Sequence, residues 1–165
     1  MYDIATETDG DLWEVEALYD LCFAPGREAL SSYRLRDGVD KVGRLSLTAR
    51  DPEGTLAGAI RFWPVLVRGR IRSRHEALLL GPVAVHPTRQ GEGLGALLII
   101  ESIARAAAAG QSRILLVGDA PYYERFGFTR ATGVEMPPPT NPDRVLGYGD
   151  WRGVTGRVVS ILENV

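Results

Sequence analysis

Three glycines alternate in the segment Gln90-Gly91-Glu92-Gly93-Leu94-Gly95-Ala96, which joins a predicted buried strand to a predicted amphipathic helix. The first amides of a helix lack partners within the helix and carry a partial positive charge, so they favour an anion. Glycine also lets the backbone approach a ligand closely, because it has no side chain. The segment is therefore a candidate pyrophosphate site, although glycines at such a junction also occur simply to end a turn.

The elements on either side of this segment are predicted from their apolar residues. A strand is predicted over Glu76 to Val85, where nearly every position is apolar. Its Gly81-Pro82 pair predicts a bulge or an opening toward a neighbouring strand, because proline cannot donate a ladder hydrogen bond. A helix is predicted from about Gly93 to Ala109 and ends at Gly110. Its predicted apolar face consists of Ala96, Ile99, Ile100, Ile103, Ala106 and Ala107.

A second buried strand follows this helix, over Ile114 to Val117. The order strand, helix, strand predicts a right-handed crossover between two parallel strands. Pro121 opens a short predicted helix that runs through Phe126 and ends at Gly127. The parallel pair places the chain in the α/β or α+β class.

The remaining elements are predicted from apolar runs bounded by turn residues. A hairpin is predicted from Leu45 to Arg50 and from Leu56 to Val67, and Pro64 is expected to interrupt its second strand. The others are, in chain order, a helix from Asp9 or Asp11 to about Phe23 that Pro25-Gly26 stops, a short helix over Glu28 to Leu35, a basic loop over Arg68 to Arg74, a proline-rich loop over Val134 to Asn141 and a strand over Val154 to Leu162.

Length and composition narrow the class of protein. With 165 residues, 45% of them hydrophobic, the chain is expected to form a single domain over residues 1–165. Its net charge of -2 gives no electrostatic reason to expect nucleic-acid or membrane binding. Cys22 is the only cysteine, which excludes an internal disulfide and fits the cytoplasm. The N-terminal residues do not resemble a signal peptide, and no apolar run approaches the roughly 20 residues of a membrane span.

Two other phosphate-binding motifs are partly similar to the glycine segment. The Walker loop requires a lysine after its glycines, and no lysine follows them here. This argues against nucleoside triphosphate hydrolysis. Gly91-x-Gly93-x-x-Ala96 formally meets the dinucleotide fingerprint, and Asp119 is placed to meet a ribose hydroxyl. Against it, the residues from His86 to Gln90 separate the strand from the first glycine, and the chain after Asp119 lacks the alternation of a doubly wound sheet. A dinucleotide-binding oxidoreductase is therefore a rival hypothesis.

Three motifs in order resemble those of the GNAT acetyltransferase superfamily. The family's acetyl-CoA motif, Gln/Arg-x-x-Gly-x-Gly/Ala, is matched by residues 90–95. Leu80 to Pro87 resembles the family's fourth strand, and Gly118 to Phe128 resembles its Tyr-x3-Gly-Phe element, most of all in a bacterial subgroup with Gly-Asp-x-x-Tyr-Tyr-x-Arg-Phe-Gly-Phe. The resemblance implies the GNAT acyl-CoA N-acyltransferase fold, an α/β (α+β) fold whose central mixed, mostly antiparallel sheet is splayed at the fourth strand and flanked by helices.

The resemblance also implies a binding path for acetyl-CoA as cosubstrate, and no metal. The backbone of Val83, Ala84 and Val85 would pair with the pantetheine arm like an extra strand, at the opening that Gly81-Pro82 creates. Arg89 would contact an outer phosphate, or else be a solvated loop residue. The pyrophosphate would lie on the segment made of Gln90, Gly91, Glu92, Gly93, Leu94, Gly95 and Ala96.

Acetyl transfer from a thioester needs an acid that protonates the departing thiolate. In the resemblance this acid maps onto Tyr123, four residues before Gly127, and a phenol with a pKa of about 10 suits the task. Tyr122 competes for the role, because adjacent helix positions point about 100° apart and only one can face the thioester. The base that deprotonates the amine has no motif, and its candidates are Glu76, His75, His86 and Asp119.

The acceptor pocket has only general candidates. Trp63 and Trp151 are candidate lining residues, although tryptophan more often belongs to the core or its rim. A basic cluster would attract an acidic acceptor or else form a solvated loop, and it consists of Arg68, Arg70, Arg72 and Arg74.

Residues and resemblance together predict an acetyl-CoA-dependent N-acetyltransferase. It would acetylate a primary amine of a small molecule or peptide by direct attack in a ternary complex. Cys22 falls on the apolar face of the first predicted helix, which disfavours a cysteine-bound intermediate. The alternative from another class is a catalytically silent acyl-CoA-binding regulatory module. The expected partners are acetyl-CoA and an unidentified amine, and a homodimer is left open.

Overall fold

A mixed sheet forms the centre of the computed structural model, which describes residues 1–23, 27 and 30–163. Its nine described strands are β1 (Asp3–Thr6), β2 (Leu47–Arg50), β3 (Leu56–Arg68), β4 (Arg74–Val85), β5 (Arg113–Val117), β6 (Thr129–Arg130), β7 (Val134–Glu135), β8 (Val145–Gly149) and β9 (Gly156–Ser160). Their order is β1-β2-β3-β4-β5-β8-β6, and β9 pairs with β3 and β7. Only the β4–β5 and β7–β9 pairs in this described sheet are parallel, which confirms the expected mixed, mostly antiparallel sheet.

Helices cover both faces of the sheet. They are α1 (Leu12–Cys22), α2 (Ser31–Arg34), α3 (Leu94–Ala108) and α4 (Ala120–Glu124). Successive side chains of a strand point to opposite faces, and β3 shows this directly. Ala59 packs in a cluster with Tyr19 of α1. The next residue, Ile60, packs in a cluster with Leu98 of α3, so these two helices sandwich the sheet.

None of the helices in the described part of the chain combines the length and the apolar character that a membrane crossing requires.

The predicted strand–helix–strand unit is confirmed as β4, α3 and β5. Leu78 and Leu79 of β4 pair in parallel with Ile114 and Leu115 of β5. The helix begins after Gly93, whose φ of 79° lies in the left-handed region. It ends where the Gln111 N–H donates to the Ala106 carbonyl at 2.9 Å.

The predicted irregularity at Gly81-Pro82 is confirmed on both edges of β4. Toward β3, Ile60 pairs with Val83 but Phe62 pairs with Leu80, so Arg61 alone faces two residues of β4. This is the geometry of a β-bulge. Toward β5, the parallel pairing ends at Leu79, so the two strands separate beyond that residue. A slot therefore opens between β4 and β5 at the position that the sequence indicates.

Two expectations are wrong, one about a break in β3 and one about the buried face of α3. Strand β3 continues through Pro64, which pairs with Leu78 of β4. Pro64 is tolerated because on the other edge of β3 the pairing with β2 ends at Ile60 and that with β9 begins only at Val65. On α3, Ile100 is 57% exposed, and Ala107 is exposed as well. The buried face is rotated from the predicted one and consists of Leu94, Leu98, Ile99, Ser102 and Ala106.

The ends of the chain differ most from the expectation. Strands β1 and β8 were not predicted, and β7 lies within the segment expected to be a proline-rich loop. The last strand, β9, is shorter than the predicted one. Of the predicted helix over Glu28 to Leu35, the described part is α2, and Pro25-Gly26 lies outside the described residues.

Candidate active site

The glycine segment forms an open surface at the start of α3. Gly91 and Gly93 have φ angles of 86° and 79°, which only glycine adopts without strain. A Cβ atom added at either residue would have no protein atom within 4 Å. The first helical hydrogen bond runs from the Leu97 N–H to the Gly93 carbonyl, so the preceding amides have no partner within the helix. The predicted anion-binding geometry is therefore present and accessible.

The third glycine of the segment has a different role. A Cβ atom on Gly95 would lie 3.4 Å from the Tyr122 hydroxyl and 3.6 Å from Cγ2 of Val85. These are ordinary van der Waals distances, so Gly95 marks the place where α3, α4 and β4 meet. It also places the Tyr122 phenol beside the glycine segment.

Val83 and Val85 direct their backbone polar groups into the slot. The His86 N–H donates to the Ala57 carbonyl of β3 at 2.8 Å. Backbone groups alternate in direction along a strand, so those of Ala84 also face β3. Those of Val83 and Val85 face the opposite edge, where the pairing with β5 has already ended.

The Val85 carbonyl accepts two side-chain donors in this arrangement. The Cys22 thiol lies 3.3 Å from it, and Nε2 of Gln90 lies 3.4 Å from it. Burial raises the pKa of the Cys22 thiol, which keeps it protonated and weakly nucleophilic. Gln90 thus connects the glycine segment with the slot through its side chain.

A cavity of about 190 Å³ lies at the inner end of the slot. It is walled by the bulge in β4, by the end of β5 and by α4, together with residues that precede β2. The described lining residues nearest to the bulge are Gly81, Pro82, Val83, Leu116, Val117 and Tyr123. The slot therefore leads from the start of α3 to a cavity that contains the predicted catalytic tyrosine.

The two tyrosines of α4 point in different directions. Their ring centres are 5.0 Å apart and their planes are perpendicular. Tyr123 lines the cavity and packs over Gly118, where an added Cβ would lie 2.6 Å from the Tyr123 ring. Tyr122 lies against Gly95 instead. Of the pair, Tyr123 is therefore the one that lines the cavity.

Burial raises the pKa of Tyr123 to about 12, and the neighbouring Tyr122 adds to the shift. A phenol with this pKa holds its proton throughout the neutral range. It is therefore present as a proton donor at neutral pH, and burial makes it a weaker acid than an ordinary phenol.

Arg89 is an anchored cation at the rim of the glycine segment. Its Nη2 donates to Oδ2 of Asp51 at 2.6 Å. Asp51 in turn accepts the N–H groups of Glu53 and Thr55 at 3.0 and 2.9 Å. This arrangement differs from the free solvated loop residue considered above, and the sequence gives no signal for the long-range partner Asp51.

Glu92 lies within the glycine segment, and its side chain is bound by a residue near the N-terminus. The Tyr2 hydroxyl donates to Oε1 of Glu92 at 2.5 Å, which raises the pKa of Tyr2. The N-terminal segment therefore packs beside the glycine segment.

Three of the four candidate bases lack a place at the cavity. His75 and Glu76 lie at the start of β4, seven or more residues from Val83, which is roughly 20 Å along a strand. His86 accepts the Thr88 N–H with Nδ1 and caps the short turn that follows β4. Asp119 precedes α4 and acts on the pKa of Tyr123, so it alone of the four lies near the acid.

Residues 1–23, 27 and 30–163 contain no group of three or more His, Cys, Asp or Glu side chains arranged to hold a metal ion.

The two tryptophans and the basic cluster proposed for the acceptor pocket lie outside the cavity lining. Trp151 donates through Nε1 to the Tyr148 carbonyl and packs against a buried apolar cluster that contains Leu115 and Val154. Trp63 is buried behind the bulge and donates to the Gly81 carbonyl at 2.7 Å. Neither belongs to the described lining of the cavity. The basic cluster lies at the hairpin between β3 and β4, at the opposite end of β4, and there Arg68 pairs with Glu163 at 2.9 Å.

Sequence reasoning missed two residues of the cavity wall, Tyr33 and Arg36. Tyr33 lies in α2 and Arg36 follows it, in a segment without clear periodicity or motif. Arg36 reaches the Gly81 carbonyl across 45 positions of sequence. No local pattern could have indicated that contact.

Comparison with known proteins identifies the family. The sequence profile of the Acetyltransferase (GNAT) family matches residues 11–128. The chain is 31% identical over 128 residues to the uncharacterized N-acetyltransferase YhbS of Escherichia coli K12, a match that covers 78% of this chain and 74% of YhbS. It is 36% identical over 135 residues to the uncharacterized N-acetyltransferase YjhQ of the same strain, covering 80% of this chain and 71% of YjhQ.

Solved structures agree in fold along nearly the whole chain. Crystalline YhbS from E. coli in complex with CoA superposes with a TM-score of 0.79 at 29% identity, covering 96% of this chain and 89% of YhbS. A GNAT family acetyltransferase from Brucella melitensis in complex with acetyl-CoA has a TM-score of 0.73 at 28% identity, covering 98% and 97%. The chain therefore belongs to the GNAT family of acetyltransferases.

Proposed function

We propose that this protein is an acetyl-CoA-dependent N-acetyltransferase that acetylates a primary amine by direct attack in a ternary complex. The observation that carries the proposal is the continuous path from the amides at the start of α3, through the slot between β4 and β5, to the cavity with Tyr123. Two relatives of similar fold have been crystallised with CoA or acetyl-CoA, which supports this use of the path.

Different parts of acetyl-CoA would bind along this path. Its pyrophosphate would lie on the amides of residues 90–96, with Arg89 close enough to contribute charge. Its pantetheine amides would bond with the backbone of Val83 and Val85 and displace the side-chain donors from the Val85 carbonyl. The thioester would then reach the bulge at Gly81-Pro82, beside Tyr123.

The chemistry requires one bond to form and one to break. The neutral amine attacks the thioester carbonyl, and the C–S bond of the resulting tetrahedral intermediate breaks. Tyr123 donates its proton to the departing sulfur, so CoA leaves as a thiol, and the proton that the attacking nitrogen loses is returned to the phenolate through solvent. Cys22 takes no covalent part, because its thiol is protonated and donates to a carbonyl oxygen. We also propose that the protein acts in the cytoplasm, where its single free cysteine stays reduced.

Amine-dependent release of free thiol from acetyl-CoA tests this function. We expect thiol release to rise with added primary amine and to be matched by acetylated amine in mass spectrometry. Tight acetyl-CoA binding without transfer to any amine would instead identify a silent binding module.

A change at Gly93 should weaken acetyl-CoA binding more than it weakens the fold. Gly93→Ala forces alanine into a left-handed conformation and puts a methyl group on the open surface of the glycine segment. We expect the Kd for acetyl-CoA to rise about tenfold, which corresponds to about 1.4 kcal/mol. Isothermal titration calorimetry measures this change.

Gly54→Ala is the matched control. Gly54 has a φ of 85° and open space around its Cβ position, but it lies in the turn between β2 and β3. The strain is comparable, so both variants should melt at lower temperature. Equal acetyl-CoA affinity of the two variants would contradict the placement of the pyrophosphate.

The pH profile should show no alkaline decline caused by Tyr123. Its pKa of about 12 keeps the phenol protonated while an alkylamine, with a pKa of about 10, loses its proton. We therefore expect kcat/KM to rise between about pH 6 and 10, because the neutral amine is the nucleophile. A decline below about pH 10 that disappears in Tyr123→Phe would show that the phenol titrates much lower.

A further inference from the structure

One wall of the cavity is formed by Arg36, a residue without a role in the transfer proposed above. Its guanidinium carbon lies 3.5 Å from the centre of the Tyr33 ring and 4.3 Å from that of Trp63. One N–H group on Nη1 faces the Gly81 carbonyl at a long 3.5 Å. Stacking thus fixes the position of the guanidinium group and leaves most of its five N–H donors available.

Arg36 also differs from the neighbouring cations in its electrostatic environment. Arg27 pairs with Glu16 and Asp20, and Arg61 pairs with Glu7 and Glu16. No carboxylate of a described residue lies within ion-pair distance of Arg36. A half-buried guanidinium group without a carboxylate is costly, and a ligand that brings one would relieve this cost.

We propose that the acceptor carries a carboxylate, and that Arg36 binds it in the cavity while its amine is acetylated beside Tyr123. This inference rests on the proposed function and names the chemical class of the acceptor, a small amino acid. A guanidinium group binds a carboxylate through two parallel hydrogen bonds, which partial burial strengthens.

The cavity itself favours a small acceptor. Its volume of about 190 Å³ is below the roughly 300–1,000 Å³ of sites for drug-sized ligands. Leu79, Leu80 and Pro82 supply apolar wall in the same cavity as Arg36 and Tyr123. An acceptor with polar groups at its two ends and an apolar middle would match this distribution.

Acetylation of matched acceptor pairs tests the proposal. Each pair consists of an amino acid and its primary amide, from glycine and β-alanine to aminohexanoate and leucine. Because the amide lowers the pKa of the neighbouring ammonium group, rates are compared at equal concentrations of neutral amine. We expect kcat/KM of the native protein to be about 10- to 100-fold higher for the best acid than for its amide, the size of a charge-assisted hydrogen-bonded contact. Arg36→Gln should abolish this preference by raising KM for the acid, and Arg36→Lys should restore part of it.

Arg44→Gln is the matched control, because it removes the same charge from an exposed arginine that does not line the cavity. It should keep the preference of the native protein for the acid. Thermal melting of each variant shows whether it is folded before its kinetics are compared.

Product binding separates this inference from the proposed function. With CoA present, the protein is titrated with the N-acetylated amino acid and with its amide, and tryptophan fluorescence is followed because Trp63 contacts Arg36. Tighter binding of the acid in the native protein, but not in Arg36→Gln, supports the carboxylate site even if no amine is acetylated. Equal binding and turnover of acid and amide, no binding of either, or a preference that survives in a folded Arg36→Gln variant would overturn it.

Discussion

Tyr123→Phe should lower kcat for acetyl transfer by about 100- to 10,000-fold, the range that general acid catalysis contributes. The phenylalanine ring fills the same place over Gly118 and Phe128, so packing is preserved and only the proton donor is lost. Affinity for acetyl-CoA should stay within about threefold, because most of the proposed cofactor contacts lie in the slot and on the glycine segment, away from this hydroxyl. Steady-state kinetics with the best amine acceptor, together with calorimetry of acetyl-CoA binding, measure the two effects separately.

Tyr122→Phe is the matched control for this experiment. It removes an identical hydroxyl from the adjacent residue, which lies against Gly95 rather than in the cavity. We expect it to alter the KM for acetyl-CoA more than kcat. A kcat that is unchanged in Tyr123→Phe but collapses in Tyr122→Phe would move the acid to Tyr122.

Arg61→Met should cost about 3–5 kcal/mol of unfolding free energy, the usual effect of breaking a buried ion pair on one side. Nε and Nη2 of Arg61 donate to the Glu7 carboxylate, both at 2.9 Å. The Glu7 side chain is fully buried, and Nζ of Lys41 lies 3.6 Å from its carboxylate. Arg61 faces the bulge in β4, so the same loss should also loosen the slot. Urea denaturation followed by circular dichroism measures the change.

The double variant Glu7→Leu with Arg61→Met provides the control. Replacing both charges by apolar groups removes the buried carboxylate, and Glu16 keeps Arg27 as a partner, so most of the lost stability should return. A double variant as unstable as Arg61→Met alone would show that packing of the arginine side chain, rather than the buried charge of Glu7, causes the loss.

Elements with local signals were predictable from the sequence. The start of α3 follows from glycines that need positive φ, and the bulge in β4 follows from a proline without a ladder donor. Strands β1 and β8 lack the apolar pattern that predicts a strand. β1 is largely exposed, and β8 contains Gly147 and Gly149, which are unusual in strands. Pro64 was misread because its tolerance depends on which neighbouring strands end beside it.

The candidate site also combines residues that local motifs predict with residues that only the tertiary fold brings together. The glycine segment and Tyr123 belong to motifs, whereas Arg36 and Asp51 act through contacts with residues distant in sequence. The choice between Tyr122 and Tyr123 follows from packing, since Gly95 accommodates one ring and Gly118 the other. Such contacts arise from the tertiary fold and leave no periodic or local trace in the chain.

The central claim is that the path from α3 to the cavity binds acetyl-CoA. Its most direct test is the melting temperature of the protein measured in parallel with acetyl-CoA, CoA and NAD, because a ligand that binds only the native state stabilises it by mass action. At a concentration about 100 times Kd the gain is about 2.7 kcal/mol, enough for a clear shift. We expect acetyl-CoA and CoA to raise the melting temperature and NAD to leave it unchanged. Stabilisation by NAD alone would contradict the account and favour a dinucleotide-binding protein.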